Sequence, residues 1–210
     1  MSQIKQSIAE KLIQIKAIKL QPANPFTWAS GWKSPIYCDN RLTLSFPKVR
    51  DFIRDEFVRQ IQEHYPEVEV IAGVATGAIA QGVLVAQALN LPFVYVRPSA
   101  KAHGMGNQIE GHLPKGKKVV VIEDLISTGG SSLKAVEALR EADAHILGML
   151  ATFTYDFPLA QNNFKSAKCP LIVLSDYHAL LDYAKAVNYV EEEYLETLKE
   201  WRENPSQWQQ

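Results

Sequence analysis

The chain has 210 residues, 47% of them hydrophobic, and a formal net charge of −1. This length favours one domain, and the near-zero charge argues against a surface that binds nucleic acid through overall charge. The two cysteines, Cys38 and Cys169, lack metal-ligand spacing and are too few for a disulfide framework, which predicts reduced thiols in a cytoplasmic protein. Charged residues interrupt the beginning of the chain and polar ones its longest apolar run, so we expect neither a signal peptide nor a membrane span.

The first 45 residues combine a helical pattern with a proline-punctuated segment. Apolar side chains at helical spacing predict an amphipathic opening helix, one face of which is formed by Ile4, Ile8, Leu12 and Ile15. Residues 26–41 alternate loosely around a Ser-Gly turn, which predicts a short β-hairpin. Its aromatic residues can form a satellite of the hydrophobic core, or they can stack on a flat base beside the cationic Lys33 and Arg41.

Helix and strand patterns then alternate. Residues 46–64 predict a surface helix whose inward side chains are Phe52, Phe57, Val58 and Ile61. Residues 68–74 and 93–97 predict strands. The small residues at 75–77 follow the first of these strands, where backbone N–H groups can bind an anion. A tight turn that binds nothing is the other interpretation of this stretch.

The segment at 97–111 carries positive charge and few apolar residues. Arg97, Lys101 and His103 are followed by glycines at positions 104, 106 and 111. This composition predicts a mobile, positively charged loop, with a plain solvated connection as the alternative.

The most informative stretch is 119–132. Its first four residues are apolar and predict a strand buried on both faces of a parallel sheet. Glu123 and Asp124 follow, then a turn of hydroxyl and glycine residues, then apolar residues at helical spacing. The turn and the first N–H groups of that helix can bind phosphate, although the pattern is neither a Walker loop nor a Rossmann glycine motif. Carboxylates beside a phosphate site suit a ligand with hydroxyls, phosphate and a divalent cation; solvated acids in an ordinary turn are the alternative.

Residues 123–132 resemble the signature that binds 5-phosphoribosyl 1-pyrophosphate (PRPP) in type I phosphoribosyltransferases. The resemblance implies that the acidic pair holds the ribose hydroxyls, that the following turn holds the 5′-phosphate, and that the turn at 75–77 holds pyrophosphate. It also implies Mg²⁺ as the cofactor, bound mainly through PRPP, with Glu123 and Asp124 able to contact it through water. The PRPP-binding set in these two turns is Ala75, Thr76, Gly77, Glu123, Asp124, Leu125, Ile126, Ser127, Thr128, Gly129, Gly130 and Ser131.

Two further stretches resemble the orotate phosphoribosyltransferase branch of that family. The run Phe-Thr-x-x-Ser-Gly-x-Lys-Ser-Pro from Phe26 is similar to an N-terminal hood over the base, so residues 1–45 are expected to contribute a hood. The run Arg-x-x-x-Lys-x-His-Gly from Arg97 is similar to a catalytic loop that closes over pyrophosphate from the neighbouring subunit. The resemblance therefore implies that Arg97, Lys101 and His103 are both catalytic and PRPP-binding, in a homodimer with shared active sites.

The chain departs from its relatives at several positions. Lysines that occur in relatives are replaced here by Ala29, Thr76 and Pro98. Relatives often place an orotate-binding arginine just after the strand predicted at 145–153, where this chain has Thr-Tyr-Asp. On chemical grounds Arg41 therefore becomes the candidate partner of the orotate carboxylate. The full orotate-binding set is Ser127, Arg41, Tyr37 and Lys33.

The predicted fold is α/β, a doubly wound and mostly parallel sheet of the type I phosphoribosyltransferase fold, with a small N-terminal hood. Residues 145–153 and 171–175 supply two more strands separated by a polar segment, and residues 179–201 are helical in pattern. The tail from residue 204 is expected to be frayed. Together these elements form a single domain spanning residues 1–210.

The resemblance implies the reaction of orotate with PRPP to give orotidine 5′-monophosphate and pyrophosphate, a step of pyrimidine biosynthesis, without a nucleic-acid or membrane partner. Two alternatives remain. A purine-type phosphoribosyltransferase would share the PRPP site, and a non-catalytic regulator of the same fold would bind PRPP as an effector. The hood and the loop pattern argue against the first. The small size and low charge argue against the added nucleic-acid-binding module of the second.

Overall fold

The structure is a computed structural model that describes residues 3–28, 31–99 and 108–208. Its helices, in chain order, are α1 (Gln3–Gln14), α2 (Pro47–His64), α3 (Ile79–Leu89), α4 (Gly130–Glu141), α5 (Pro158–Ser166), α6 (Tyr177–Ala186) and α7 (Leu195–Glu203). Its strands are β1 (Ile18–Leu20), β2 (Phe26–Thr27), β3 (Lys33–Ser34), β4 (Ile36–Cys38), β5 (Val70–Val74), β6 (Phe93–Val96), β7 (Ile109–Glu110), β8 (Lys118–Ile126), β9 (His145–Thr154) and β10 (Leu171–Asp176). Short 3-10 turns at Asn40–Ser45 and Glu192–Tyr194 precede α2 and α7.

A six-stranded sheet runs through the described chain in the order β10-β9-β8-β5-β6-β7. Neighbouring strands are parallel except β6 and β7, which pair antiparallel. The predicted α/β fold with a mostly parallel sheet is confirmed. The segment at 97–111 differs in one respect, because its end forms β7 and completes an edge of the sheet instead of remaining loop.

Strand β8 is buried on both faces, as its apolar run predicts. Val120 and Ile122 join the hydrophobic cluster that contains buried side chains of α1, α2, α3, α6 and α7. Val119 and Val121 join the opposite cluster, which contains those of α4 and α5. Successive side chains of a strand point to opposite faces, so this one strand packs against both layers of helices. The residues that follow along β8 are therefore held in fixed positions.

The predicted hairpin is confirmed in the N-terminal segment. Strands β2 and β3 pair antiparallel, with Phe26 opposite Ser34 and Thr27 opposite Lys33, and β1 pairs antiparallel with β4. Helix α1 packs elsewhere, against β10 and α6, where the ammonium of Lys5 lies 2.6 Å from a carboxylate oxygen of Asp176. Within residues 1–45, the cover over the sheet edge is thus the segment that carries β2, β3 and β4, described at residues 26–28 and 31–38, which we call the hood from here on.

Strand β8 is longer than its apolar run. It continues through Glu123 and Asp124 to Ile126, because β9 pairs with it as far as Thr154. The two carboxylates therefore lie within the strand instead of following it, and they point to opposite faces.

Three other expectations are corrected. The polar segment at 158–166 is a helix, α5, which begins at Pro158 and buries Ala160 and Phe164. The helical pattern at 179–201 is divided into α6 and α7, because Asn188 adopts a positive φ of 53° just after α6 ends. The described part of the tail is not frayed, since Trp208 is buried in the core. No helix in the described ranges is both long and apolar enough to cross a membrane.

Candidate functional site

A cleft of about 550 Å³ lies at the carboxyl ends of β5, β6 and β8, the edge where open α/β sheets bind ligands. It brings together residues from both predicted anion-binding turns and from the start of the 97–111 segment. Its lining residues from the predicted PRPP set are Ala75, Thr76, Gly77, Arg97, Glu123, Asp124, Leu125, Gly130 and Ser131. We call this cavity the donor cleft.

Glu123 is the buried member of the acidic pair. One carboxylate oxygen accepts a hydrogen bond of 2.7 Å from the Ser132 hydroxyl, and the other accepts one of 2.9 Å from the backbone N–H of Asp124. Burial, together with the nearby charge of Asp124, raises the pKa of the Glu123 carboxyl well above its usual range. Glu123 therefore holds the start of α4 against β8 and presents its remaining surface to the cleft.

The raised pKa of Glu123 has a consequence for stability that Glu123→Gln tests. A carboxyl whose pKa is higher in the folded than in the unfolded state favours folding at pH values below its unfolded pKa, about 4.3, and this contribution is lost as the pH rises through the folded pKa. The neutral amide can still accept from the Asp124 N–H and donate to the Ser132 hydroxyl. We therefore expect the melting temperature of ligand-free Glu123→Gln, relative to wild type, to increase from acidic to neutral pH.

Thermal unfolding of both proteins across that range is the measurement. Glu137→Gln, the same change at an exposed position on α4, is the matched control and should follow wild type at every pH. A difference between Glu123→Gln and wild type that stays constant with pH would contradict the prediction.

Asp124 is half-buried, and its carboxylate lies against the backbone of the first turn. A Cβ atom added to Gly77 would overlap the Asp124 carboxylate, so glycine at this position allows the close approach of the two turns. The backbone carbonyl of Asp124 accepts a hydrogen bond of 2.6 Å from the side-chain amide of Asn40. Asn40 is buried and follows the hood, so this bond ties the hood to the strand that carries the acidic pair.

The turn between β8 and α4 is shaped by Gly129. Its φ is +80°, and a Cβ atom there would lie 2.7 Å from the ring of Phe164, so both backbone conformation and space require glycine. The side chain of Asn163 donates to the carbonyl of Thr128 at 2.9 Å, and the carbonyl of Ile126 accepts from Thr154. Of the predicted PRPP set, Ile126, Thr128 and Gly129 thus support the turn without lining the donor cleft.

Arg97 extends along the cleft at the end of β6. A terminal guanidinium nitrogen lies 3.6 Å from a carboxylate oxygen of Glu110 on the neighbouring β7. The backbone of Arg97 is fixed by Gln108, whose side-chain amide donates to the Arg97 carbonyl at 2.9 Å. Lys101 and His103 lie outside the described residues, as does Ala29.

Sequence reasoning missed Lys134 and Asn40. Lys134 lines the donor cleft from α4, one turn beyond the phosphate-binding stretch. Helical side chains lean toward the helix N-terminus, which directs this ammonium back toward the phosphate-binding turn. The spacing from Ser131 to Lys134, three residues on one helix face, could have indicated Lys134. Nothing in the local pattern indicates the long-range bond of Asn40.

A second cavity of about 320 Å³ adjoins the donor cleft beneath the hood. It is lined by Thr27, Trp28, Tyr37, Cys38, Leu125, Ser127 and Tyr155. Leu125 lines both cavities, so they meet at this side chain. We call the second cavity the hood pocket. Tyr37 and Ser127 were predicted from the sequence, whereas Trp28, Cys38 and Tyr155 were not.

The hood pocket is aromatic and uncharged. The Trp28 and Tyr155 rings lie 5.2 Å apart, and the Trp28 indole N–H donates to the carbonyl of Ile36 at 3.2 Å. Burial raises the pKa of both the Tyr155 phenol and the Cys38 thiol, so both groups are neutral hydrogen-bonding groups. Cys38 and Cys169 are free cysteines. Such walls suit a flat ring that stacks and forms a few hydrogen bonds.

The predicted cations of the hood lie beside this pocket instead of lining it. The ammonium of Lys33 donates to the hydroxyl of Thr27 at 3.1 Å, which places it near the pocket wall. Arg41 donates to both carboxylate oxygens of Asp39, at 2.7 and 2.9 Å, and this pairing lowers the pKa of Asp39. Its side chain is 61% exposed, so Arg41 faces solvent in this structure and its role toward orotate stays a prediction.

The residues described contain no cluster of three or more His, Cys, Asp or Glu side chains that could hold a metal ion. Asp124 is a half-buried carboxylate facing the cleft, and oxygen ligands of this kind suit Mg²⁺. These protein oxygen ligands suit a cation that enters already bound to the phosphates of its ligand. They suit less well a cation that the protein alone would hold.

Comparisons with known proteins agree with this geometry. The family model of the phosphoribosyl transferase domain matches residues 48–169, which include the donor cleft. The orotate phosphoribosyltransferase of Bacteroides fragilis is 60% identical over 100% of this chain and 99% of its own length. The orotate phosphoribosyltransferase of Aeropyrum pernix superposes with a TM-score of 0.76 at 26% identity, over 88% of this chain and 99% of its own.

A longer protein contains the same fold. The UMP synthase of Leishmania donovani superposes with a TM-score of 0.80 at 25% identity, over 94% of this chain and 42% of that one. The full-length match at 60% identity, the domain model over the donor cleft, and the hood pocket adjoining it lead to one conclusion. This chain belongs to the orotate phosphoribosyltransferase family.

Proposed function

We propose that this chain transfers the phosphoribosyl group from PRPP to orotate, with PRPP in the donor cleft and orotate in the hood pocket. The observation that carries this assignment is the shared wall at Leu125, where a polar cleft suited to phosphates meets an aromatic pocket suited to a flat base. The carbon that changes partners must lie at such a junction. The bond between a base nitrogen and C1 of the ribose forms there as the bond from C1 to pyrophosphate breaks.

In the donor cleft each part of PRPP has a matching part of the chain. The 5′-phosphate lies at the N-terminus of α4, where the backbone N–H groups and the hydroxyl of Ser131 are available. The ribose hydroxyls lie against Glu123 and Asp124. Pyrophosphate lies at the turn of 75–77, with Arg97 beside it. On binding, the phosphates compete with Glu110 for the Arg97 guanidinium, so Arg97 can move from one anion to the other.

The chemical task of the chain is alignment and charge stabilisation. Positive charge develops at C1 and negative charge on the departing pyrophosphate, and preorganised cations beside pyrophosphate stabilise that separation. Arg97 lies at that point, and we assign Lys101 and His103 of the same segment to it on the family pattern. The apolar side chain of Leu125 keeps water away from C1 on the side of the base.

Mg²⁺ is the proposed cofactor, entering with PRPP. When bound, the cation neutralises part of the pyrophosphate charge. Asp124 would contact the water shell of this cation. Glu123 would do so to a smaller extent, because both of its carboxylate oxygens already accept hydrogen bonds.

We further propose a cytoplasmic homodimer in which Lys101 and His103 serve the partner's site, whereas Arg97 lies at the donor cleft of its own subunit. Two free cysteines are consistent with a reducing compartment. Leu42, Phe46 and Val83 are exposed apolar side chains, of the kind that a partner subunit covers.

The test of the function is a comparison of bases. The purified protein is mixed with PRPP, Mg²⁺ and orotate, adenine, guanine or hypoxanthine in turn, and product is separated by chromatography. We expect orotidine 5′-monophosphate from orotate and no nucleotide from the purines. Nucleotide from a purine alone would favour the purine-type alternative, and PRPP binding without turnover of any base would favour a regulator.

A further inference from the structure

The last described helix, α7, lies behind the hood pocket and contributes no residue to its lining. Trp201 of α7 is fully buried and sits at the centre of a cluster of aromatic rings. Its ring centroid lies 5.6 Å from those of Trp28 and Tyr155, and 5.4 Å from those of Phe157 and Tyr177. Trp28 and Tyr155 are two walls of the hood pocket, so a single side chain of α7 supports both.

The geometry of these contacts limits the movement of both walls. The rings of Tyr155 and Trp201 are nearly perpendicular, at 89°, as are those of Trp28 and Trp201, at 85°. Edge-to-face contacts of this kind fix the plane of a ring as well as its position. The Trp201 indole N–H has no hydrogen-bond partner in the part of the chain that the structure describes, so packing is what Trp201 contributes.

Arg202, the next residue, holds the backbone beside the same wall. One of its nitrogens donates to the carbonyl of Asp156 at 2.7 Å and to the Asp156 carboxylate at 3.1 Å. Asp156 directly follows Tyr155 and has a φ of +57°, a conformation that needs support in a residue with a side chain. Gln161 and Thr154 supply further bonds to Asp156, so the backbone after Tyr155 is fixed from both sides.

From these contacts we infer that α7 sets the shape of the hood pocket, with Trp201 and Arg202 as positioning residues for the base. The inference rests on the proposed assignment of orotate to that pocket. Neither residue lines the donor cleft, and neither falls within residues 48–169 that the phosphoribosyl transferase domain model matches. The donor cleft is thus built inside the segment that the domain model covers, whereas the base wall depends on a helix outside it.

The test separates the two substrates. Trp201→Leu keeps an apolar side chain but removes the edge-to-face contacts, and it should raise the KM for orotate by about tenfold while the KM for PRPP stays within about twofold of wild type. Trp201→Phe keeps an aromatic ring and should recover most of the loss. Arg202→Met, which keeps the aliphatic stem, should raise the KM for orotate by about threefold or more.

The matched control is Leu198→Ala. Leu198 is also fully buried on α7, and its side chain has no ring to pack on Tyr155. This variant should lower the melting temperature, as Trp201→Leu does, while leaving both KM values near wild type. A rise in the KM for orotate that equals the rise for PRPP, or one that Leu198→Ala reproduces, would mean that α7 acts only through stability and would overturn the inference.

Tyr155→Leu, which changes the wall itself, distinguishes the inference from the assignment beneath it. If Tyr155→Leu raises the KM for orotate and folded Trp201→Leu does not, the role of α7 is refuted and the base assignment stands. If neither variant changes it, orotate binds elsewhere and both statements fail.

Discussion

Asp124→Asn should lower the affinity for PRPP by about 10- to 100-fold with little change in melting temperature. The carboxylate lies at the donor cleft, where the ribose hydroxyls would donate to it, and a hydrogen bond to a charged group contributes on the order of 1.5–3 kcal/mol. Asp124 is tied to its neighbours through its backbone, whose carbonyl accepts from Asn40 and whose N–H donates to Glu123. Calorimetric titration with PRPP and Mg²⁺ measures the affinity, and thermal unfolding measures the stability.

Two variants sharpen this prediction. Gly77→Ala keeps the carboxylate but adds a Cβ atom where it lies, so it should weaken PRPP binding in the same direction. Asp182→Asn makes the identical chemical change at an exposed position on α6 and should change neither quantity. Unchanged PRPP affinity together with a lowered melting temperature would identify Asp124 as a structural acid.

Mixing two inactive variants should restore activity if the loop serves the partner subunit. Lys101→Ala alone should lose about 10²–10³ in kcat, the scale for removing one group that stabilises transition-state charge. Asp124→Asn alone should be almost inactive at low PRPP. After the two proteins are unfolded and reassembled in equal amounts, about half of the dimers are hybrids. Each hybrid then has one site that carries both lesions and one intact site, so activity should recover to about a quarter of wild type.

The same mixture distinguishes a loop that serves the partner subunit from one that serves its own subunit. If Lys101 acts within its own subunit, every site keeps one lesion and no activity returns. Native mass spectrometry resolves the hybrids, because the two chains differ in mass. Hybrids in the expected proportion without recovered activity would refute a shared site, whereas hybrids that never form would refute the dimer itself.

The donor cleft could be predicted from the sequence because it is built from local units. One continuous stretch predicts a strand, a turn and a helix, from its apolar run at 119–122, its acidic pair and Gly129. Each of these elements depends on residues that are close together in the sequence. Parallel strands then bring the carboxyl ends of β5, β6 and β8 to one edge, so the 75–77 turn and Arg97 had to lie nearby.

The hood pocket was harder to predict from the sequence, because tertiary packing brings its walls together. Tyr155 directly follows a strand, and no sequence pattern around it indicates a binding site. Its contacts with Trp28 and Trp201, which are distant in the sequence, make it a wall of the pocket. The sequence suggested Arg41 as a base partner on chemical grounds, and in this structure Asp39, two residues earlier, accepts from two of its guanidinium nitrogens. In the same way, α5 was missed because its polar composition hides a narrow apolar stripe, Ala160 and Phe164.

The wide separation of Trp28 and Trp201 along the chain implies an order of events during synthesis. The strands that line the donor cleft, α4, and the residues of β9 and α5 that support the turn between β8 and α4 all precede residue 167, so their contacts can form while later residues are still being added. The support behind Tyr155 requires α7, which is translated much later, and contacts across long stretches of chain form slowly. A nascent chain can therefore form its phosphate-binding end first, and the contacts of Trp201 behind the hood pocket form only when α7 docks.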